Sequence, residues 1–188
     1  MMVFEQKQAL RREMRAALAA LSPAARAERS AQACAALIAL PAFCSAQMVL
    51  AYKAMPTECD PAAAARAALG AGKRVAYPLC LPGNRLALYE PLSDNSFAVG
   101  KYGILEPVPE RCRAVRPGEI DFAIIPGVAF GRDRTRLGHG AGYYDRLLEE
   151  LPGVKAGLAF DIQLFDAVPV GGLDVKMDII ATNLGIIA

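Results

Sequence analysis

This sequence predicts an α/β fold around a mixed to mostly parallel sheet, and three observations carry the prediction. Apolar runs of strand length alternate with alanine-rich runs of helical length along the chain. The strongest apolar run, DFAIIPGVAF at 121–130, reads as a deeply buried strand. No repeat, linker or low-complexity tract interrupts the 188 residues, so a single domain over residues 1–188 is expected. A chain of this length can bury about 70% of its unfolded surface.

The elements follow in order. Apolar residues at 10, 14, 18 and 21 lay one stripe along a helix spanning 5–21. Ser22-Pro23 supplies a cap and a first-turn proline for a second helix that ends near Leu40-Pro41. MVLAYKAM at 48–55 reads as the first strand, and Asp60-Pro61 opens another helix that Gly70 and Gly72 stop. KRVAYPLC (73–80) and RLALYEPL (85–92) read as strands joined by a tight turn at Pro82-Gly83-Asn84. GKYGILEP (100–107) and CRAVRPGE (112–119) read as surface loop. After the strand at 121–130, YYDRLLEEL forms a helix, VKAGLAF a strand, and MDIIATNLGII (177–187) a last strand or two.

The composition excludes several function classes. A net charge of +2 makes no global case for nucleic acid or a membrane surface. Five scattered cysteines and one histidine form no CxxC pair and cannot complete a zinc set, so they read as small hydrophobes in a reducing compartment. The first residues lack an apolar signal core. Pro41 and Pro126 break the longest apolar stretches well short of the ~20 residues a membrane span needs. A cytoplasmic monomer that binds small molecules is expected, with no nucleic-acid or membrane partner.

One stretch stands apart. RLGHGAGYYDRLL (136–148) places Gly138, Gly140 and Gly142 at alternate positions around His139, the only histidine. Glycine carries an entropic cost of roughly 0.5–1 kcal/mol relative to alanine, so a bare backbone must be needed here. A buried strand, a glycine loop and a helix start bring main-chain N–H groups together on an anion. Arg132, Arg134 and Arg136 precede the loop with fork-shaped donors for phosphate. Asp145 in the helix's first turn can hold a magnesium ion beside such phosphates. The stretch is neither GxGxxG nor a Walker loop, and its spacing alone is equally compatible with a structural turn. In the first helix, Lys7, Arg11 and Arg15 stack at intervals of four. Such a face is either solvated or docked against an anion.

KQALRREMRAAL, YKAMPTECDP, GILEP and IPGVAF followed by RLGHGAGYYDRLL, in that order, resemble the 5-formyltetrahydrofolate cyclo-ligase family over about residues 7–178. The resemblance implies a three-layer α/β/α open sheet. It also implies an ATP-dependent closure of 5-formyltetrahydrofolate to 5,10-methenyltetrahydrofolate, with ADP and phosphate released. By the same resemblance, Lys7, Gln8, Ala9, Leu10 and Arg11 contact ATP. Arg136, Leu137, Gly138, His139, Gly140, Ala141, Gly142, Tyr143 and Tyr144 cradle the nucleotide. Residues 139–143 of that loop also face folate, with Lys53 and Glu58; Asp145 and Asp178 are the magnesium ligands. Arg136, Tyr143 and Lys7 are expected to carry the chemistry.

Where the family reads FDxxGxRLG, this chain reads FGRDRTRLG. Gly131 replaces an aspartate and Arg134 a glycine, and Asp133 is placed to substitute by a two-residue shift. The same layered architecture also hosts sugar-phosphate isomerases and coenzyme A transferases, and a non-enzymatic nucleotide- or folate-binding module is a third reading.

Overall fold

The computed structural model describes residues 2–169, 171 and 175–188. Helix α1 (Met2–Ala20) turns Met14 and Leu18 into the core, with Leu10 packed beside them. α2 (Pro23–Ile38) starts as expected: the Ser22 hydroxyl accepts the Ala25 N–H at 3.2 Å and Pro23 takes the first turn. It stops before Pro41, which opens a separate short helix, α3 (Pro41–Ser45).

Strand β1 (Met48–Leu50) is shorter than the apolar run 48–55 predicts. After Ala51 the chain leaves the sheet. The Tyr52 hydroxyl then donates to the Cys59 carbonyl, and Lys53 lodges between the Tyr77 and Phe97 rings. α4 (Ala62–Gly70) follows, then the hairpin of β2 (Arg74–Leu81) and β3 (Arg85–Pro91). Its turn holds Gly83 and Asn84 at φ 73° and 55°, the left-handed region these two residue types tolerate.

Two segments expected as loop are strands instead. β4 (Phe97–Val99) pairs with β5 (Leu105–Pro107) in a small hairpin, and β6 (Cys112–Val115) forms the sheet edge beside β3. Arginines are ordinary on an edge strand that one side leaves to solvent, and they masked it. The run 121–130 also divides. β7 (Phe122–Ile125) is wholly buried, but Pro126 has no N–H to continue the ladder. β8 (Ala129–Gly131) therefore departs into a second sheet with β9 (Arg136–Leu137) and β11 (Leu164–Phe165). α5 (Tyr143–Glu150), β10 (Val154–Leu158), β12 (Ile179–Thr182) and β13 (Gly185–Ile187) complete the described elements.

The main sheet has the order β13-β12-β10-β7-β1-β2-β3-β6. Pairs β12-β10, β10-β7, β7-β1 and β1-β2 are parallel, and the outer pairs are antiparallel. Alternation along the strands builds two cores. Val49, Val75, Phe122 and Ile124 face the layer of α1 to α4, where Phe43 meets Phe122 edge-on at 5.4 Å. Met48, Leu50, Ala123 and Ile125 face Leu147, Leu148 and Leu151 of the α5 region. The result is an α/β/α arrangement of three layers. No helix among the described residues is long and apolar enough to cross a membrane.

From β1 the chain proceeds to β2 on one side, whereas β7, β10 and β12 extend to the other. The reversal point therefore lies between β1 and β7. In open α/β sheets the crevice beyond the strands' carboxyl ends at such a point is the usual ligand site.

Candidate active site

A cleft of about 500 Å³ opens there, lined by Tyr52 and Lys53 beyond β1, Pro78 and Cys80 on β2, and Pro126 beyond β7. The glycine loop forms one wall, from Gly138 to Asp145. Each glycine has its own reason. A methyl on Gly138 would sit 2.9 Å from the Arg136 guanidinium. Gly140 has φ +102°, and a methyl there would sit 3.2 Å from the Arg11 guanidinium carbon. Gly142 turns left-handed at φ 73° to start α5. Among the described residues, the main-chain N–H groups of Gly138, His139, Gly140, Ala141 and Gly142 donate to no other group of the protein. They lie at a helix N-terminus, an arrangement suited to an anion.

Arg136 is buried under this loop. Its guanidinium donates to the Pro126 carbonyl at 3.2 Å and to the Asp145 carboxylate, and lies 5.9 Å from the Tyr144 ring centre. From α1, Arg11 is buried and its Nε donates to the Gly138 carbonyl at 2.9 Å. Arg15, one turn on, lines the cleft. Lys7 and Gln8 are half-buried one turn before Arg11, Ala9 is exposed, and Leu10 packs toward the core. Arg132 and Arg134 do not join the cleft: they point to Asp166 and to the Asp178 carbonyl.

The facing wall is built by the turn after β1. The Glu58 carboxylate accepts the Met55 N–H at 2.8 Å and meets His139 Nε2 at 2.9 Å, so the glycine loop and this turn touch. Burial lowers the Lys53 pKa, opposed in part by the Asp60 carboxylate. Burial, then the Glu58 charge, pushes the Tyr144 phenol up. Burial, then Glu106, pushes the Cys80 thiol up to about 12. Tyr52, Cys80 and Glu106 also line the cleft, and their sequence spacing gives no sign of it. All three lie in apolar or loop-like contexts, and only the approach of distant segments places them here.

The model of the 5-formyltetrahydrofolate cyclo-ligase family matches residues 3–183. The chain belongs to that family. The Escherichia coli K12 5-formyltetrahydrofolate cyclo-ligase is 31% identical over 170 residues, which is 87% of this chain and 92% of its own. A probable cyclo-ligase of Schizosaccharomyces pombe is 29% identical, over 82% and 83% of the two chains. The solved 5,10-methenyltetrahydrofolate synthetase of Aquifex aeolicus superposes with a TM-score of 0.85 at 33% identity, covering 96% of this chain and 91% of the other.

Against the family pattern, the loop after β8 is self-consistent. A side chain at Gly131 would collide with the Asp133 carboxylate and the Thr135 hydroxyl, so Asp133 occupies the space an aspartate at 131 would need. Arg134 stands at φ 70°, the left-handed position that the cyclo-ligase pattern gives to glycine.

The two expected magnesium ligands are not brought together. The register Ala156↔Ile179 sets residue 178 beside the start of β10, where the Asp178 carboxylate accepts the Lys155 N–H at 2.8 Å. That is the amino end of the parallel strands, opposite the cleft. Asp145 does line the cleft, with 35% of its side chain exposed. Among the described residues no three Cys, His, Asp or Glu side chains cluster as a metal cage. The residues fit a magnesium ion carried in on phosphates, which needs only one or two carboxylates.

Proposed function

We propose that this chain catalyses the MgATP-dependent conversion of 5-formyltetrahydrofolate to 5,10-methenyltetrahydrofolate, with release of ADP and phosphate. One observation carries the reading. A single cleft has an anion-receptive glycine loop on one wall and the turn that carries Glu58 on the other, with His139 and Glu58 in contact where they meet. A triphosphate on the first wall and a pteridine on the second would face each other across one cleft.

The chemistry asks for positioning more than for a nucleophile. A formamide carbonyl is a poor electrophile, and its oxygen would have to leave as hydroxide. The formyl oxygen therefore attacks the γ-phosphorus and ADP departs, leaving a phosphorylated oxygen on a carbon doubly bonded to N5. The N10 lone pair adds to that carbon, the carbon–oxygen bond breaks, and phosphate leaves together with the N10 proton. Arg11 and Arg136 hold the loop and, with Lys7, keep positive charge beside the phosphates. Glu58 accepts N–H bonds from the pteridine, and Tyr143 bounds its ring. When bound, magnesium supplies further charge neutralisation at the phosphate oxygens, and Asp145 is the residue that would hold it. The enzyme works as a monomer in the cytoplasm.

The test is the absorbance of the methenyl product on adding 5-formyltetrahydrofolate with and without MgATP. A rise that requires both is expected. No rise, or a rise indifferent to MgATP, would overturn the reading.

A further inference from the structure

The hairpin of β4 and β5 forms a rim of the cleft through Ile104 and Leu105. Its tip is held from beneath by Glu106, a carboxylate only 7% exposed. One Glu106 oxygen accepts the main-chain N–H of Lys101 at 3.1 Å, and the other accepts that of Cys80 on β2 at 3.4 Å. A carboxylate this deep requires such donors, so it ties the hairpin to the main sheet. Gly100 makes the approach possible, since a methyl there would lie 2.6 Å from the carboxyl carbon of Glu106. The exposed side chain of Lys101 then reaches across to α5. Its ammonium donates to the Tyr143 hydroxyl at 2.6 Å and lies 5.3 Å from the centre of that ring.

We propose that Lys101 is a positioning residue of this enzyme, acting through the Tyr143 hydroxyl, with Glu106 and Gly100 holding it in place. Tyr143 directly follows the left-handed Gly142, so its ring orientation and the end of the glycine loop are set together. A charged donor on the phenol holds one ring orientation against the pteridine. Lys101 lies 42 residues from Tyr143 in sequence, in a segment that reads as loop, which is why spacing did not point to it. The inference rests on the folate reaction proposed above.

The experiment measures KM and kcat for both substrates, with thermal unfolding, in wild type, Lys101→Met, Tyr143→Phe, the double variant and Lys101→Arg. Loss of a charged hydrogen bond predicts a rise of about tenfold in the folate KM for each single variant, with the kcat of Lys101→Met changed by less than about twofold. Residues acting as one unit are non-additive, so the double variant should be no worse than the worse single one. Lys101→Arg should recover most of the loss, and unfolding temperatures should match wild type. Additive effects, a rise confined to the ATP KM, or a wild-type folate KM in Lys101→Met would overturn the inference while leaving the reaction standing. Wild-type protein with no MgATP-dependent methenyl absorbance would overturn both.

Discussion

Arg136 and Asp145 stand at the two ends of the glycine loop and are bonded to each other, the guanidinium donating to the carboxylate. The arginine side chain is 4% exposed and the aspartate 35%. This pair closes the loop at its base, so the three glycines bend around a charged clamp.

Arg136→Ala is therefore expected to affect stability as well as nucleotide binding. Removing one partner of a buried pair costs about 3–5 kcal/mol, and the partial exposure of Asp145 puts this case at or below the low end. Arg136→Lys keeps a charge and should fold, with much weaker MgATP affinity. Denaturant unfolding and calorimetric titration of the nucleotide separate the two effects. Wild-type nucleotide affinity in the lysine variant would place Arg136 outside the binding machinery.

Glu58→Gln preserves shape and removes the charge that faces His139. An increase of about tenfold in the folate KM is expected, the loss of one charged hydrogen bond, with the ATP KM nearly unchanged. Because Glu58 also accepts the Met55 N–H, equal rises in both constants would mean that it only shapes the turn.

At Gly140 the positive φ and the neighbouring Arg11 guanidinium act together against any side chain. Gly140→Ala should lose about 1–3 kcal/mol of stability from backbone strain and displace Arg11 from the Gly138 carbonyl. Urea unfolding midpoints and MgATP affinity should fall in parallel. Unchanged values would mean the loop readjusts without cost.

Arg134→Gly runs the other way. A non-glycine residue at φ 70° carries strain of about 1–2 kcal/mol. The loss of its 3.3 Å bond to the Asp178 carbonyl, on an exposed side chain, offsets little of that. The variant should be more stable by up to about 1 kcal/mol after the entropy of glycine is counted. A lower melting temperature would refute this.

Cys80 lines the cleft, yet its thiol pKa of about 12 leaves it protonated at ordinary pH. The thiolate is the nucleophile, so a thiol held this high reacts slowly. Alkylation followed by peptide mass spectrometry should find the exposed Cys44 modified long before Cys80, with Cys80 gaining reactivity only as pH approaches 12. Glu106→Gln removes the second cause of the shift and should speed the reaction at Cys80. Early labelling of Cys80 in the parent chain would contradict the raised thiol pKa.

Much of the local structure was legible. The apolar stripe of α1, the Ser22 cap, the turn at Gly83-Asn84 and the helix after Gly142 are all settled within a few residues, and each formed as its sequence predicts. The misread segments share a different cause. Apolar runs show where burial is wanted but not where the chain leaves a sheet, so 48–55 and 121–130 looked like single strands. The edge strand Cys112–Val115 is too polar to declare itself, and the strands of the hairpin that carries Lys101, three residues each, are too short.

Residue types and spacing by themselves determined the α/β class and marked Arg136 and the glycine loop, and the family resemblance added Glu58. Tertiary structure alone decided which of these share a wall. Arg11 reaches Gly138 across 127 residues and Glu58 reaches His139 across 81, while Asp178 is carried to the far end of the strands. Local propensity acts over one or two turns of chain. Contacts at these separations follow from strand order and register, which depend on how the two faces of the whole sheet are buried.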